Sequence, residues 1–216
     1  MAVSYAAVSF DLFGTLLTAD RPDDPAVAVG EELRERGIEV PADWTAAYRE
    51  PHLDAPKGAE IPLPAHVTAA LESRGIDHPA DDEVIRSAVL AAFDAEIRTR
   101  PGAVETIVAA RDRRPVGILS NCSVPGLARQ SIEQSEIDVG EFDAVVTSVG
   151  CGWRKPDRQA FETAAERLGV SPSDLLHVGD DPATDGGADA TGSRALVLDD
   201  RSLADIARML REGACP

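Results

Sequence analysis

Val8-Ser-Phe-Asp-Leu-Phe-Gly-Thr-Leu-Leu17 is a short apolar run of strand-forming residues that delivers one carboxylate, Asp11, and stops within three residues at Gly14-Thr15. That is how a side chain is set at the carboxyl end of a buried parallel strand, where open α/β sheets place their ligands. A carboxylate there has two readings, a catalytic group or a turn and capping residue ahead of a helix. The rest of the chain has to decide between them.

Outward from this strand the pattern divides. From residue 18 to residue 98 the sequence reads as helices without a strand. The helical stretches are Ala26 to Arg36 closed by Gly37, a turn from Trp44 to Arg49, Ala65 to Arg74 closed by Gly75, and Asp81 to Arg98 with apolar positions at Val84, Ile85, Val89, Phe93 and Ile97. Pro51 to Pro64, with four prolines and a glycine, reads as a loop. From Pro101 helix and strand alternate: a helix from Ala103, Val116–Leu119, a helix over Gly126–Glu133, Ala144–Thr147, Arg158–Leu168, Leu175–Val178, a short helix, Ala195–Leu198, and a closing helix capped by Ser202. Alternation of this kind predicts a Rossmann-like, doubly wound parallel α/β sheet with helices on both faces. The expected organisation is a core of residues 1–17 and 99–216 interrupted by a helical insert of residues 18–98.

Composition narrows the function. The chain is 44% hydrophobic and 27% charged, and no apolar run is long enough for a membrane helix. No exported leader is legible at the N-terminus, so the expected location is the cytoplasm. A net charge of −17, with 38 acidic and 21 basic residues, argues against nucleic acid and anionic membranes as partners, since phosphate-backbone affinity comes from Lys and Arg. Only Lys57 and Lys155 are lysines. An acidic, lysine-poor, alanine- and arginine-rich chain fits a halophilic source, and ordinary acidity for solubility is the alternative. Cys122, Cys151 and Cys215 have no metal-ligand spacing and read as reduced thiols.

Four short sequences fall at or beside strand ends: Asp11-Leu-Phe-Gly-Thr15, Leu119-Ser-Asn121, Lys155-Pro156 and Gly179-Asp-Asp-Pro-Ala-Thr-Asp185. Each alone is weak. Ser120-Asn121 reads as a strand-ending turn, Lys155 as a surface lysine, Asp180, Asp181 and Asp185 as a solvated acidic face, and His177 as a core or strand-end histidine. Together and in this order they resemble the four motifs of the haloacid dehalogenase-like hydrolases, most of which are magnesium-dependent phosphatases. The resemblance implies a helical cap inserted between the first two motifs, an aspartyl-phosphate on Asp11 and a small phosphate ester as substrate. Phosphoryl transfer needs an in-line nucleophile and positive charge over the equatorial oxygens, and a carboxylate attacking a phosphate dianion needs a divalent cation between them. Asp11, the Phe13 carbonyl and Asp180 would supply oxygens to Mg2+, with Asp185 completing the metal site by orienting a metal water or Lys155. Gly14, Thr15, Ser120 and Asn121 would hold phosphate oxygens, and Lys155 would neutralise phosphate and nucleophile.

One position departs from the pattern. Most phosphatases of this superfamily carry a second Asp two residues after the nucleophile as acid and base, a role worth roughly 10²–10⁴-fold; here that residue is Phe13. An aromatic there resembles the metal-independent 2-haloacid dehalogenases, whose halide leaving group needs no acid. Those enzymes place neutral residues where this chain has Asp180, and the arginines of the insert, Arg34, Arg36 and Arg49, give no clear match to the dehalogenase cap arginine. The reading favoured is therefore the phosphatase, with Asp181, a cap side chain or the substrate as general acid. A dehalogenase is the alternative, followed by a phosphonate hydrolase using Lys57 and a scaffold without turnover.

Overall fold

The computed structural model describes residues 5–77, 83–199 and 201–212. Cys215 and Asp81, the expected start of the fourth helix, lie outside the described residues. Strand β1 (Ala7–Phe10) is buried at every position. A strand covered on both faces needs no polar alternation, which is why its sequence is apolar but for Ser9. β2 (Leu17–Ala19) follows, then helices α1 (Pro25–Glu35), α2 (Trp44–Arg49), α3 (Leu63–Glu72) and α4 (Glu83–Ala92). β3 (Ile97–Thr99) returns the chain to α5 (Ala103–Arg111), β4 (Val116–Ser120), α6 (Leu127–Glu133), β5 (Ala144–Thr147) and the one-turn α7 (Ser148–Cys151). α8 (Arg158–Arg167), β6 (Leu175–Gly179), β7 (Arg194–Val197) and α9 (Leu203–Glu212) complete it.

Five strands form one parallel sheet in the order β5-β4-β1-β6-β7. β1 is central, so the residues just past its end are flanked by those past β4 and β6. Two apolar layers cover the sheet. Phe10, Ile107, Ile118, Ile132, Ile206 and Leu210 form one with α5, α6 and α9. Leu119, Phe161, Ala165 and Leu175 form the other with α8. This is the expected doubly wound α/β fold.

Helices α1 to α4 gather around a separate apolar cluster that includes Leu33, Trp44, Val67, Leu71, Ile85 and Val89. Cys122 and Val124, from the loop after β4, belong to the same cluster, and half-buried Phe13 packs against both it and the sheet's core. The expected helix over 81–98 is corrected: α4 ends at Ala92, and Ile97–Thr99 pairs antiparallel with Leu17–Ala19. So the stretch from 18 to 98 is not free of strand. Ile97 stands four residues after Phe93, which satisfies a helical spacing as well as a strand, and a three-residue strand is too short to show a period of two. The short helix expected before β7 is 3-10 in character, over Asp185–Thr191.

The proline-rich loop after α2 is tied to the sheet domain's loops by backbone hydrogen bonds. Glu60 N–H donates to Gly152 (2.8 Å), Arg154 N–H to Gly58 (2.9 Å) and Leu63 N–H to Ser123 (2.9 Å). Among the described residues no helix is long and apolar enough to cross a membrane.

Candidate active site

The carboxyl ends of β1, β4 and β6 meet at a cavity of about 250 Å3 lined by Asp11, Phe13, Ser120, Asn121, Lys155, Asp180, Asp181 and Asp185, together with Arg21, Arg154 and Thr184. Seven of the nine residues assigned from the sequence to catalysis, metal or phosphate thus line one cavity, with the candidate acid Asp181. Gly14 and Thr15 stand behind it. The Gly14 amide donates to the Leu17 carbonyl (2.8 Å) and the Thr15 hydroxyl to Asp180 Oδ1 (2.7 Å), so these two shape the turn and hold Asp180. Gly14 has φ +98°, and a Cβ there would lie 2.5 Å from an Asp180 carboxylate oxygen, so only glycine lets the turn approach this closely. Arg100, at the end of the β3 crossing, reaches the Gly14 carbonyl with its guanidinium and braces the turn from the other side.

Lys155 is fully buried and bridges two carboxylates, Asp11 Oδ1 at 2.7 Å and Asp185 Oδ1 at 2.6 Å. Its backbone is fixed by Asn121, whose carboxamide accepts from the Lys155 amide (2.8 Å) and donates to the Lys155 carbonyl (2.9 Å). Beneath Asp185 lies a second buried pair, His177, expected as a core or strand-end histidine, and Ser9. His177 Nε2 is 2.9 Å from Asp185 Oδ1, and Ser9 Oγ is 2.8 Å from His177 Nδ1. A neighbouring carboxylate fixes the proton on Nε2, leaving Nδ1 to accept from the serine. Burial, helped by repulsion from Lys155, pushes the histidine down to about 4, so it is neutral at ordinary pH. Burial would raise Asp185, but the His177 hydrogen bond and the Lys155 ammonium outweigh it and hold the carboxyl well below the usual range. The other oxygen of Asp185 accepts from the Asp181 amide (3.0 Å).

Asp11 behaves oppositely. Burial raises it to about 6, Lys155 counteracts this only in part, and Asp185 and Asp180 add repulsion. Asp11, Asp180 and Asp185 each offer an oxygen within 4.8 Å of the others. Three carboxylates facing a single ammonium are an oxygen-only donor set suited to a hard divalent cation. With both Asp185 oxygens engaged by Lys155, His177 and the Asp181 amide, Asp11 and Asp180 are the carboxylates with more freedom to face an ion.

Asp181 is exposed, and its carboxylate turns back to the Ala183 amide (2.8 Å) and Thr184 hydroxyl (3.1 Å) of its own loop. Among the other residues weighed in the sequence, Lys57 is exposed and does not line the cavity. Arg36 pairs with Glu32, Arg49 pairs with Asp24, and Arg34 is exposed elsewhere on α1. The cavity's arginines are instead Arg21, whose guanidinium stands 5.7 Å over the Phe13 ring, and Arg154, which binds Glu60 Oε2 at 2.7 Å. Sequence reasoning missed both. Arg154 had one available signal, its place directly before Lys155; Arg21 lies in a punctuating Asp-Arg-Pro with none.

A family model described as haloacid dehalogenase-like hydrolase matches residues 5–188. The chain is 29% identical over 188 residues to a glyceraldehyde 3-phosphate phosphatase of Methanopyrus kandleri, covering 81% of this chain and 75% of that protein. It is 26% identical over 207 residues to (S)-2-haloacid dehalogenase 4A of Burkholderia cepacia, covering 92% and 84%. In fold it is similar to a 2-haloacid dehalogenase of Pseudomonas syringae pv. Tomato DC3000, with a TM-score of 0.62, 22% identity and coverage of 89% and 86%.

Proposed function

Because this chain belongs to the haloacid dehalogenase-like hydrolases, we propose that it is a magnesium-dependent phosphatase of a small phosphorylated metabolite, with Asp11 as nucleophile. The observation that carries this reading is Asp180. It sets a further carboxylate beside Asp11 and Asp185, where a metal-free displacement of halide has no use for one and a cation removes the repulsion. Asp11, the Phe13 carbonyl and Asp180 would hold the ion, with Asp185 behind them keeping Lys155 in place. Magnesium, when bound, supplies the positive charge that lets a carboxylate approach a phosphate dianion.

Lys155 engages Oδ1 of Asp11, which leaves Oδ2 to attack phosphorus. The Oδ2–P bond forms as the bond from phosphorus to the ester oxygen breaks, and Lys155 and Ser120 hold the phosphoryl oxygens. Phe13 has no proton to give, so the departing oxygen is protonated by water or by the substrate's own groups, and Asp181 stays engaged with its loop. Water then attacks phosphorus as the Oδ2–P bond breaks, one of its protons passing to solvent, and inorganic phosphate leaves with the Asp11 carboxylate restored. The helical unit of residues 18–98 serves as the cap over this site, inserted in a core of residues 1–17 and 99–216. The acidic, lysine-poor composition supports an enzyme of a salt-loving organism.

Phe13 favours a second reading, the 2-haloacid dehalogenase, in which Asp11 displaces halide from carbon and no leaving-group acid is required. The test is release of phosphate from small phosphate esters and of halide from 2-haloacids, at high salt, with magnesium or with chelator. Magnesium-dependent phosphate release supports the phosphatase, and halide release that survives chelation replaces it with the dehalogenase.

A further inference from the structure

The cavity at Asp11 shares four lining residues, Phe13, Arg21, Asn121 and Arg154, with a neighbouring pocket of about 190 Å3. Apart from its two arginines that pocket is walled mainly by apolar groups, among them Phe93, Ile97 and Val124. It is smaller than the ~300–1,000 Å3 of sites for drug-sized ligands, which restricts an occupant to a few-carbon body. Into a strongly acidic chain the fold thus places two guanidinium groups at the junction between the reacting centre and an apolar pocket.

The two arginines are held differently. Arg154 is anchored through Nη1 to Glu60, whose side chain is 4% exposed and also accepts from Ser148 Oγ. Its position is therefore fixed by the loop after α2. Arg21 makes no hydrogen bond or ion pair among the described residues, and its only specific contact is the face of Phe13. At 5.7 Å from the ring centroid the guanidinium is drawn to the Phe13 face, and its N–H groups, which hold no partner among the described residues, are open to a carboxylate or phosphate, which a guanidinium recognises as a fork. Phe13 therefore has work at this position beyond the absence of an acid: it is the platform that presents Arg21.

We propose that Arg21 and Arg154 form a subsite for a carboxylate at the end of the substrate remote from the reacting bond, so that the substrate class is a short carboxylic acid bearing the phosphate. The assignment deepens the phosphatase reading and rests on it for the identity of the reacting group. A carboxylate fits better than a second phosphate, because the pocket is small and one of the two arginines is already paired with Glu60.

The test measures binding, so it reads out even without turnover. Calorimetry in magnesium compares phosphonoacetate, methylphosphonate and methylenediphosphonate on the wild type, Arg21→Gln and Arg21→Lys. The wild type is expected to prefer phosphonoacetate over methylphosphonate, and Arg21→Gln to lower that preference about 10- to 100-fold, the range for a hydrogen bond to a charged group. Arg21→Lys should recover part of it, since a point charge replaces the fork. Absence of the preference in the wild type, or its persistence in Arg21→Gln, overturns the subsite. A stronger, Arg21-dependent preference for methylenediphosphonate overturns the carboxylate. If the carboxylate preference and its Arg21 dependence hold while no phosphate ester is hydrolysed, the subsite stands and the phosphatase reading falls.

Discussion

Replacing Asp11 with Asn should abolish turnover and make the metal-free protein more stable. In the folded chain Asp11 is buried and its carboxyl is raised from 3.8 to about 6. Between these two values the folded state keeps a proton that the unfolded state has lost, so stability falls as pH rises through the window, and the loss is complete above about pH 6. Roughly two pKa units correspond to about 3 kcal/mol. Asn has the same shape, still offers Oδ1 to Lys155, and cannot ionise. The difference in unfolding free energy between Asp11→Asn and wild type should therefore be small at pH 4 and grow by about 2.5 kcal/mol by pH 7. Urea unfolding in chelator across this range measures it, with phosphate release assayed in parallel in magnesium. A difference that stays flat with pH, or a variant that loses stability at pH 7, refutes the account of Asp11 as a strained, desolvated carboxylate; retained turnover refutes its role as nucleophile.

Asn121→Ala leaves the Lys155 amide and carbonyl without their partner, and unfolding in urea should show a loss of about 2 kcal/mol with a larger fall in catalytic rate. Gly14→Ala forces a Cβ against Asp180 at positive φ, and magnesium affinity measured by calorimetry should drop at least tenfold while the circular dichroism spectrum is retained. Ser202 and Asp205 cap α9 reciprocally, Ser202 Oγ accepting from the Asp205 amide at 3.2 Å, so Ser202→Ala should cost about 1 kcal/mol in urea denaturation and leave activity intact. Burial raises the Cys122 thiol above its ordinary value; in a Cys151→Ser, Cys215→Ser background, a thiol reagent at pH 8 should modify it far more slowly in the native protein than in urea.

What was legible in the sequence followed from local chemistry. β1 and β6 are buried at every position and so appear as largely apolar runs, broken only by the paired Ser9 and His177, and each is followed directly or one residue on by a carboxylate, Asp11 or Asp180. What was not legible depended on pairing across long separations. β2 and β3 are three residues each and exist because they meet across 78 to 82 positions; neither carries enough periodicity to announce itself. Arg21 and Arg154 are ordinary surface arginines by sequence, and Phe13 and Glu60 bring them to the cavity. Likewise His177 reads as a core histidine, which it is, yet only the fold reveals that its ring is the support under Asp185. Thr15 was matched to a phosphate contact by position, while its hydroxyl in the fold is directed to Asp180.

The proline-rich loop after α2 has a consequence for anyone altering this protein. By composition it is the segment an engineer would choose for a tag, a linker or a graft, since polar surface loops usually absorb insertions. Here its amides and carbonyls are spent on Gly152, Arg154 and Ser123, the neighbours of Lys155 and Asn121. The loop works as a clasp joining two strand-end loops that are about thirty residues apart in sequence. Lengthening it would loosen both jaws together, and an insertion more than ninety residues upstream of Lys155 would register at the active site as misplacement of that lysine.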